Sequence, residues 1–486
     1  MPYLQNVQWM FLSGLALCVP VGLALLAIGA AEEERAEQVA TTALLALATA
    51  VFGYLVCGFA FQFGGAAFVS GLPGLKGLTA EWSPFDLTWG PGWGLIGLRG
   101  FLLHGEAYTA DAYVLFFSNV PAVITAVLVT LLALVKHVRR VYMPLVGLLI
   151  SGFLYPLFGN WVWGGGWLAN LGLNLGLGHG FVDAAGAGGI FLLGTCVALG
   201  VLLLVRPLRA LEAGPAKLPP IHFPLLMVLG ALLAVVGWPA LALGNPLLQG
   251  QIVPSIVVVN LVSAAAGSAL VVLSYSWFVT GKPNALAAGR GTVAGLVAAS
   301  AACAFVPAWS AWAIGAVAGV LFLLGLYVWE QVLRWDDPSA AVATFALPAI
   351  WGLLAVAIFA DGRWGAGWNG VGVQEYLGIP GQGVTGWLLA SGYQRAGSGQ
   401  LQAQVAGFVA LLVVCLLVPW LLFRTIHWIY VSSRRAPASQ MPEAEAAAPV
   451  PMPPELAGEV SLPIDLPAQE PLAPDSGTAE APPEQQ

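Results

Sequence analysis

Long apolar runs separated by short polar stretches occupy the chain from Trp9 to Tyr430. Most of these runs reach the length of about 20 residues that an α-helix needs to cross a bilayer. The pattern therefore predicts an all-α membrane protein with eleven spanning helices. Their predicted bounds are residues 9–31, 40–62, 111–136, 141–160, 181–206, 221–243, 253–278, 289–306, 308–328, 340–360 and 404–430.

Positive charge is distributed unevenly between alternate loops. The loops on one side, beginning with the loop after the first helix, carry Arg35, Lys136, Arg139, Arg140, Arg206, Arg209, Lys217, Lys282, Arg290, Arg334, Arg424, Arg434 and Arg435. The loops on the other side carry only Lys76, Arg99, Arg363 and Arg395. Because cytoplasmic loops are enriched in Lys and Arg, this asymmetry predicts an external N-terminus and a cytoplasmic C-terminus.

Two long external loops and a terminal tail complete the predicted organisation. The loops, residues 63–110 and 361–403, are rich in Gly, Trp and Pro, a composition typical of an ordered cap at the membrane interface. From residue 436 the chain consists mainly of Pro, Ala and Glu, which cannot bury enough apolar surface to offset the entropy of ordering. We therefore expect a membrane domain at 1–435 and a disordered cytoplasmic tail at 436–486, either plainly solvated or acting as a proline-rich ligand.

Composition agrees with the membrane assignment. Hydrophobic residues make up 59% of the chain and charged residues 8%, and the mean hydropathy is +0.84. The net charge of -7 arises largely from the tail, and no basic cluster points to nucleic acid. The five cysteines have no CxxC pairing and are predicted to be buried, unpaired thiols: Cys18, Cys57, Cys196, Cys303 and Cys415.

Carboxylates at the start of two predicted helices share one spacing. Asp183 precedes Phe191 by eight residues, and Asp337 precedes Phe345 by the same interval. Matched features half a chain apart are typical of internally repeated transporters and point to the pore. Either aspartate could cap its helix or attract a cation beside the pore, and Pro338 favours the cap for Asp337.

The remaining polar residues do not indicate catalysis. All five histidines lie in loops or near helix ends: His104, His137, His179, His222 and His427. No set of His, Cys, Asp and Glu has metal-ligand spacing within the predicted spans, and no nucleophile or phosphate-binding motif appears. We therefore expect neither an enzyme nor a metal or other cofactor.

Several motifs resemble the ammonium transporter family (Amt/Mep/Rh). They are NWVWGGGWLANLG, FVDAAGAGG, GWPALALGN, GKPN, AACAFVPAWSAWAIGAVAGVL, DDPSAAVATFALPAIWGLLAVAIFADG and GWNGVG. The resemblance implies two inverted five-helix repeats followed by a final helix, assembled as a homotrimer in the cell membrane. It also implies ammonium or ammonia as the transported solute, with one pore in each subunit.

The family's outer sites transfer residue by residue. Trp163 matches the tryptophan of the ammonium recruitment site, and Asp183 matches the aspartate thought to support it. Asn245 stands where the family has a serine, and an amide oxygen can still accept a hydrogen bond. Pro121 and Leu241 stand where two stacked phenylalanines form the external gate.

The central pore departs further from the family. Phe191 and Phe345 replace two facing histidines, the strong hydrogen-bonding groups of an otherwise apolar lumen. Phenylalanine can neither titrate nor accept a strong hydrogen bond, so proton-coupled or electrogenic ammonium transport is not expected. Thr195 and Thr344 could supply polarity there, although each is expected to bond its own helix backbone.

Three hypotheses follow from this combination. The chain could move ammonium or ammonia by an altered route, conduct a small neutral gas such as ammonia or carbon dioxide, or act as a non-conducting sensor or assembly subunit. The tail also lacks the acidic, glycine-containing segment through which bacterial relatives couple to a PII signalling protein. Regulation by PII is therefore not expected.

Overall fold

The computed structural model has long apolar helices at ten of the eleven predicted spans and a shorter apolar helix at the other. The structure describes residues 2–85, 92–205, 223–335 and 340–434. Within these residues, ten helices are long and apolar enough to cross a membrane: α1 (Gln5–Ala30), α2 (Arg35–Phe68), α3 (Ala110–Leu134), α4 (Arg140–Trp163), α5 (Ala187–Leu204), α6 (Phe223–Leu243), α7 (Pro254–Thr280), α9 (Ala308–Val332), α10 (Val342–Phe359) and α11 (Gly399–Ile426). The shorter α8 (Ala285–Ser300) has 16 residues and falls on the eighth predicted span.

The fifth helix begins later than predicted. Its expected start at residue 181 is wrong, because α5 begins only at Ala187. The preceding Gly186 has a left-handed backbone (φ 83°), and the chain before it is not helical. An apolar run alone cannot reveal this break, since its residues are equally apolar in either conformation.

Glycines allow the helices to approach closely. Gly22 in α1 and Gly230 in α6 face each other, and a Cβ built on Gly230 would lie 2.5 Å from the carbonyl oxygen of Gly22. One Cβ added to Gly237 would lie 2.8 Å from the backbone nitrogen of Val19. Close backbone contact between small residues is a principal source of helix association in membranes. The two crossing helices are the first members of the two predicted repeats.

The long loops contain short, ordered elements over their described residues. In the first, β1 (Glu81–Trp82) pairs antiparallel with β2 (Ile96–Gly97). The second contains β3 (Glu375–Tyr376) paired with β4 (Ile379–Pro380). Single 3-10 turns fill much of the remaining loop chain: Pro73–Leu75, Phe101–Leu103, Gly105–Ala107 and Trp368–Gly370.

The compact unit that contains the spans extends from Met1 to Trp428. A second unit begins at Ile429, and its described part is the end of the helix Val418–Arg434. The predicted domain boundary at 435 and the predicted disordered tail, 436–486, lie outside the described residues.

The prediction of unpaired cysteines is confirmed, because all five thiols are free. Cys196, Cys303 and Cys415 are buried, as expected, whereas Cys18 and Cys57 are partly exposed. The Cys57 thiol donates to the carbonyl of Gly152 on a neighbouring helix, at 3.3 Å.

His179 is a buried histidine just before α5. Its ring meets the ring of Tyr376 edge-on at 4.7 Å, and neither ring nitrogen has a hydrogen-bond partner among the described residues. Burial lowers the pKa of His179 to about 4, because desolvation disfavours the imidazolium.

This pKa predicts a pH-dependent stability. Between about pH 6.5, the ordinary histidine pKa, and pH 4, unfolded chains bind a proton that the folded chain does not, so acidification lowers the free energy of unfolding by up to about 3 kcal/mol. Thermal unfolding at pH 7 and pH 5 measures the loss. Because burial raises the pKa of Asp361, that carboxyl acts in the opposite direction, and His179→Gln isolates the histidine contribution. An equal pH dependence in the variant would contradict this account.

Candidate transport site

The non-helical backbone before α5 is held by side-chain amides, beginning with Gln404 of α11. The Gln404 Oε1 accepts the N–H of Val182 at 2.8 Å, and its Nε2 donates to the carbonyl of Val182 at 2.9 Å. The same Nε2 also donates to the carbonyl of Leu353 in α10, at 3.0 Å. One buried side chain therefore ties three segments together and leaves none of these backbone groups unpaired.

Two further amides complete this arrangement. Gln400, one helical turn before Gln404, accepts the N–H of His179 at 3.0 Å and donates to the carbonyl of Gly180 at 2.9 Å. Asn369 donates to the carbonyls of His179 and Phe181, at 2.9 and 3.1 Å. We call Asn369, Gln400 and Gln404 the amide clamp. It supplies the hydrogen bonds that a helix would otherwise supply and so allows an extended segment deep in the fold.

The clamped segment leads directly to Asp183. Its Oδ2 accepts the N–H groups of Gly188 and Gly189, both at 2.9 Å, so the carboxylate caps the first turn of α5. Its Oδ1 is buried and has no hydrogen-bond partner among the described residues. The cap therefore occupies one oxygen and leaves the other, which is buried, without a hydrogen-bond partner among the described residues. The corresponding Asp337 lies outside the described residues.

Trp163 at the end of α4 lies against the same turn. Its Nε1 donates to the backbone carbonyl of Asp183 at 2.9 Å. A Cβ on Gly189 would lie 2.5 Å from Cη2 of the Trp163 ring, so only glycine admits the indole at this position. The structure thus brings together the predicted recruitment residues Trp163 and Asp183.

The other predicted outer residues are placed differently. Asn245 uses its Oδ1 locally, accepting the N–H of Leu247 at 3.0 Å, and no hydrogen bond among the described residues joins it to Trp163. Pro121 is buried within α3 and Leu241 within α6. These two helices contact each other, but two aliphatic side chains cannot form the aromatic gate of the family.

The central pore positions form part of a three-ring aromatic stack. The rings of Phe191 and Phe345 are 5.9 Å apart between centroids, with planes 10° from parallel. On the other side of Phe191, the Trp238 ring stacks at 4.7 Å, again 10° from parallel. Phe191 and Trp238 are 0% exposed and Phe345 is 7% exposed. Trp238 is not among the predicted pore residues, although it belongs to the motif GWPALALGN.

Local backbone geometry places the stack. Phe191 lies in the π-helical segment Ala187–Leu192 and Phe345 in the π-helical segment Val342–Ala346. Such π segments are rare in proteins, and those that occur are often found at functional sites. Four other helices contain π segments over their described residues, so these two segments do not by themselves identify the repeat: Tyr54–Gly58, Ile150–Leu154, Val328–Val332 and Leu412–Leu417. Trp238 is fixed separately, because its Nε1 donates to the hydroxyl of Ser300 at 2.8 Å.

The two threonines near the stack behave differently. Thr195 donates to the carbonyl of Phe191 at 2.8 Å, so its predicted bond to its own helix is confirmed. For Thr344 the prediction is wrong, because its buried Oγ1 has no partner among the described residues. The carbonyl four residues earlier belongs to Ala340 and accepts the backbone N–H of Thr344 at 2.9 Å, whereas the Thr344 hydroxyl forms no hydrogen bond to it.

Comparison with known proteins assigns the chain to a family. A profile of the Ammonium Transporter Family matches residues 8–439. The chain belongs to the ammonium transporter family. Ammonium transporter Amt2 of Archaeoglobus fulgidus is 29% identical over 363 residues, which cover 74% of this chain and 72% of that protein. This family member is thus a multi-pass membrane protein of a transport family whose substrate is ammonium or ammonia.

Solved structures share the fold of this family member. A protein described as "Sensor Amt Protein" aligns with a TM-score of 0.67 at 22% identity, covering 88% of this chain and 94% of that one. The crystal structure of Saccharomyces cerevisiae Mep2 aligns with a TM-score of 0.66 at 21% identity, covering 87% and 85%. At these identities the likeness establishes the fold alone.

The amide clamp predicts a strong effect of Gln404→Leu in this transporter homologue. The change removes three hydrogen bonds and leaves buried backbone groups unpaired, at about 1–3 kcal/mol for each group. We expect a marked fall in the unfolding temperature in detergent. Gln402→Leu is the matched control, because Gln402 is exposed on the same helix. Equal shifts for the two variants would show that the clamp contributes no stability.

Proposed function

We propose that this family member binds ammonium at its outer face without carrying the charge across, and acts as an ammonium receptor rather than an electrogenic transporter. The observation that carries the proposal is the aromatic stack of Trp238, Phe191 and Phe345. By the resemblance described above, Phe191 and Phe345 stand at the two positions at which the family places its pore histidines.

The stack presents no hydrogen-bonding group to a permeating cation. The only polar atom of its three side chains is the Trp238 Nε1, and that group already donates to Ser300. Phenylalanine has no lone pair to accept a proton from ammonium. An ammonium ion at this depth would lose its hydration with nothing to replace it, at a cost of many kcal/mol. Apolar constrictions of this kind also exclude water and so interrupt any proton wire.

The outer residues support binding. Asp183 has a buried carboxylate oxygen with no hydrogen-bond partner among the described residues, and Trp163 lies directly beside its backbone. A tryptophan face attracts ammonium through a cation–π interaction of about 0.5–2 kcal/mol. Binding without conduction fits a sensor or an assembly subunit, and a structure described as a sensor Amt protein shares this fold.

Charge movement in proteoliposomes after an ammonium concentration jump tests the conduction half of the proposal. We expect a signal equal to that of empty liposomes. A saturable current would contradict the proposal. Alkalinisation of the lumen, followed with an entrapped pH dye, would instead reveal passage of neutral ammonia and would favour the gas-channel hypothesis.

Ammonium binding is tested separately by the thermal stability of the purified protein. We expect millimolar ammonium, but not sodium, to raise the unfolding temperature, because a ligand that binds only the folded state stabilises it. Trp163→Leu should abolish the shift, and Phe191→Leu, beyond the recruitment residues, should retain it. No shift for the unmodified protein would exclude a receptor role.

A further inference from the structure

A small cavity lies beside Phe345, at the end of the stack that is remote from Trp238. Its volume is about 20 Å³, and its walls are mainly aliphatic side chains such as Leu26 and Leu132. It has two polar residues on its wall, Thr344 and Arg290. A neighbouring recess shares Leu132 and opens among charged residues predicted to be cytoplasmic.

The Thr344 hydroxyl is buried and has no hydrogen-bond partner among the described residues. The residue is 1% exposed, and its Oγ1 forms no hydrogen bond with any described residue. Burying a hydroxyl without a partner is unfavourable, and ordered water commonly satisfies such groups. A cavity of roughly 10–15 Å³ already suffices for one water molecule, so this one is large enough.

We propose that the cavity is a binding site for one small neutral molecule that both donates and accepts hydrogen bonds, with Thr344 as its anchor. Water and ammonia share this chemistry. The Thr344 hydroxyl can donate to their lone pair, which the ammonium cation lacks. Arg290 also lines the cavity.

The site extends the proposed function without depending on it. A molecule at Thr344 lies next to Phe345 and reaches one end of the aromatic stack, whether or not anything crosses the stack. Thr195, near the other phenylalanine, already donates to the carbonyl of Phe191 and needs no such molecule. Of these two threonines, therefore, only Thr344 has a hydroxyl that a bound molecule could satisfy.

A cryo-EM map that resolves ordered water tests the site directly. We expect density within hydrogen-bond distance of Thr344 Oγ1 in the unmodified protein and its loss in Thr344→Val. Density in ammonium-free buffer identifies water, and density that appears only with ammonium salt at alkaline pH identifies ammonia. Absence of density under both conditions would overturn the proposal.

Thermal unfolding provides a second, independent readout. If the hydroxyl is satisfied by an occupant, Thr344→Val removes a favourable bond and the unfolding temperature stays level or falls. If the cavity is empty, valine removes an unsatisfied hydroxyl and the unfolding temperature rises, which would also overturn the proposal. Thr195→Val is the control. The Thr195 hydroxyl already has a partner within the protein, so this variant measures how far the unfolding temperature changes when a satisfied hydroxyl is lost.

Discussion

The need to satisfy every backbone polar group inside a membrane protein governs the architecture around α5. An extended segment at this depth is stable only if something replaces the helical hydrogen bonds. Gln400 and Gln404 of α11 and Asn369 supply these hydrogen bonds from their side-chain amides. The bonds fix the backbone that precedes Asp183 and so fix where α5 begins. The start of α5, and with it the position of Phe191, therefore depends on hydrogen bonds between residues that are 188 to 222 positions apart in the sequence.

The consequence for chemistry appears at the stack. In a lumen that keeps a histidine pair, the same scaffold would hold two titratable groups face to face. Here it holds two phenylalanines, and Trp238 adds a third parallel ring. Offset parallel aromatic rings attract each other by about 0.5–1.5 kcal/mol beyond their burial, so the stack is a favourable arrangement as well as an obstacle. The family scaffold is thus preserved while its central chemistry is replaced.

The sequence predicts part of this arrangement because part of it is local. Apolar length predicts the spans, and the repeated spacing of Asp183 and Phe191 with Asp337 and Phe345 predicts that the two phenylalanines lie close together, as they do. Trp238 and the amide clamp escape prediction because their partners are distant in sequence. Gln400 and Gln404 look like an ordinary polar turn at the start of a helix.

The two threonines beside the stack differ in their hydrogen bonding. Thr195 donates to the carbonyl of Phe191, four residues earlier, although Phe191 lies in a π-helical segment. Thr344 lies in the π-helical segment Val342–Ala346, and its hydroxyl has no partner among the described residues beside a small cavity. The proposed site would therefore hold a small neutral molecule beside Phe345, at the end of the stack remote from Trp238. Beyond that point the three aromatic side chains offer no free hydrogen-bonding group, because Trp238 Nε1 already donates to Ser300.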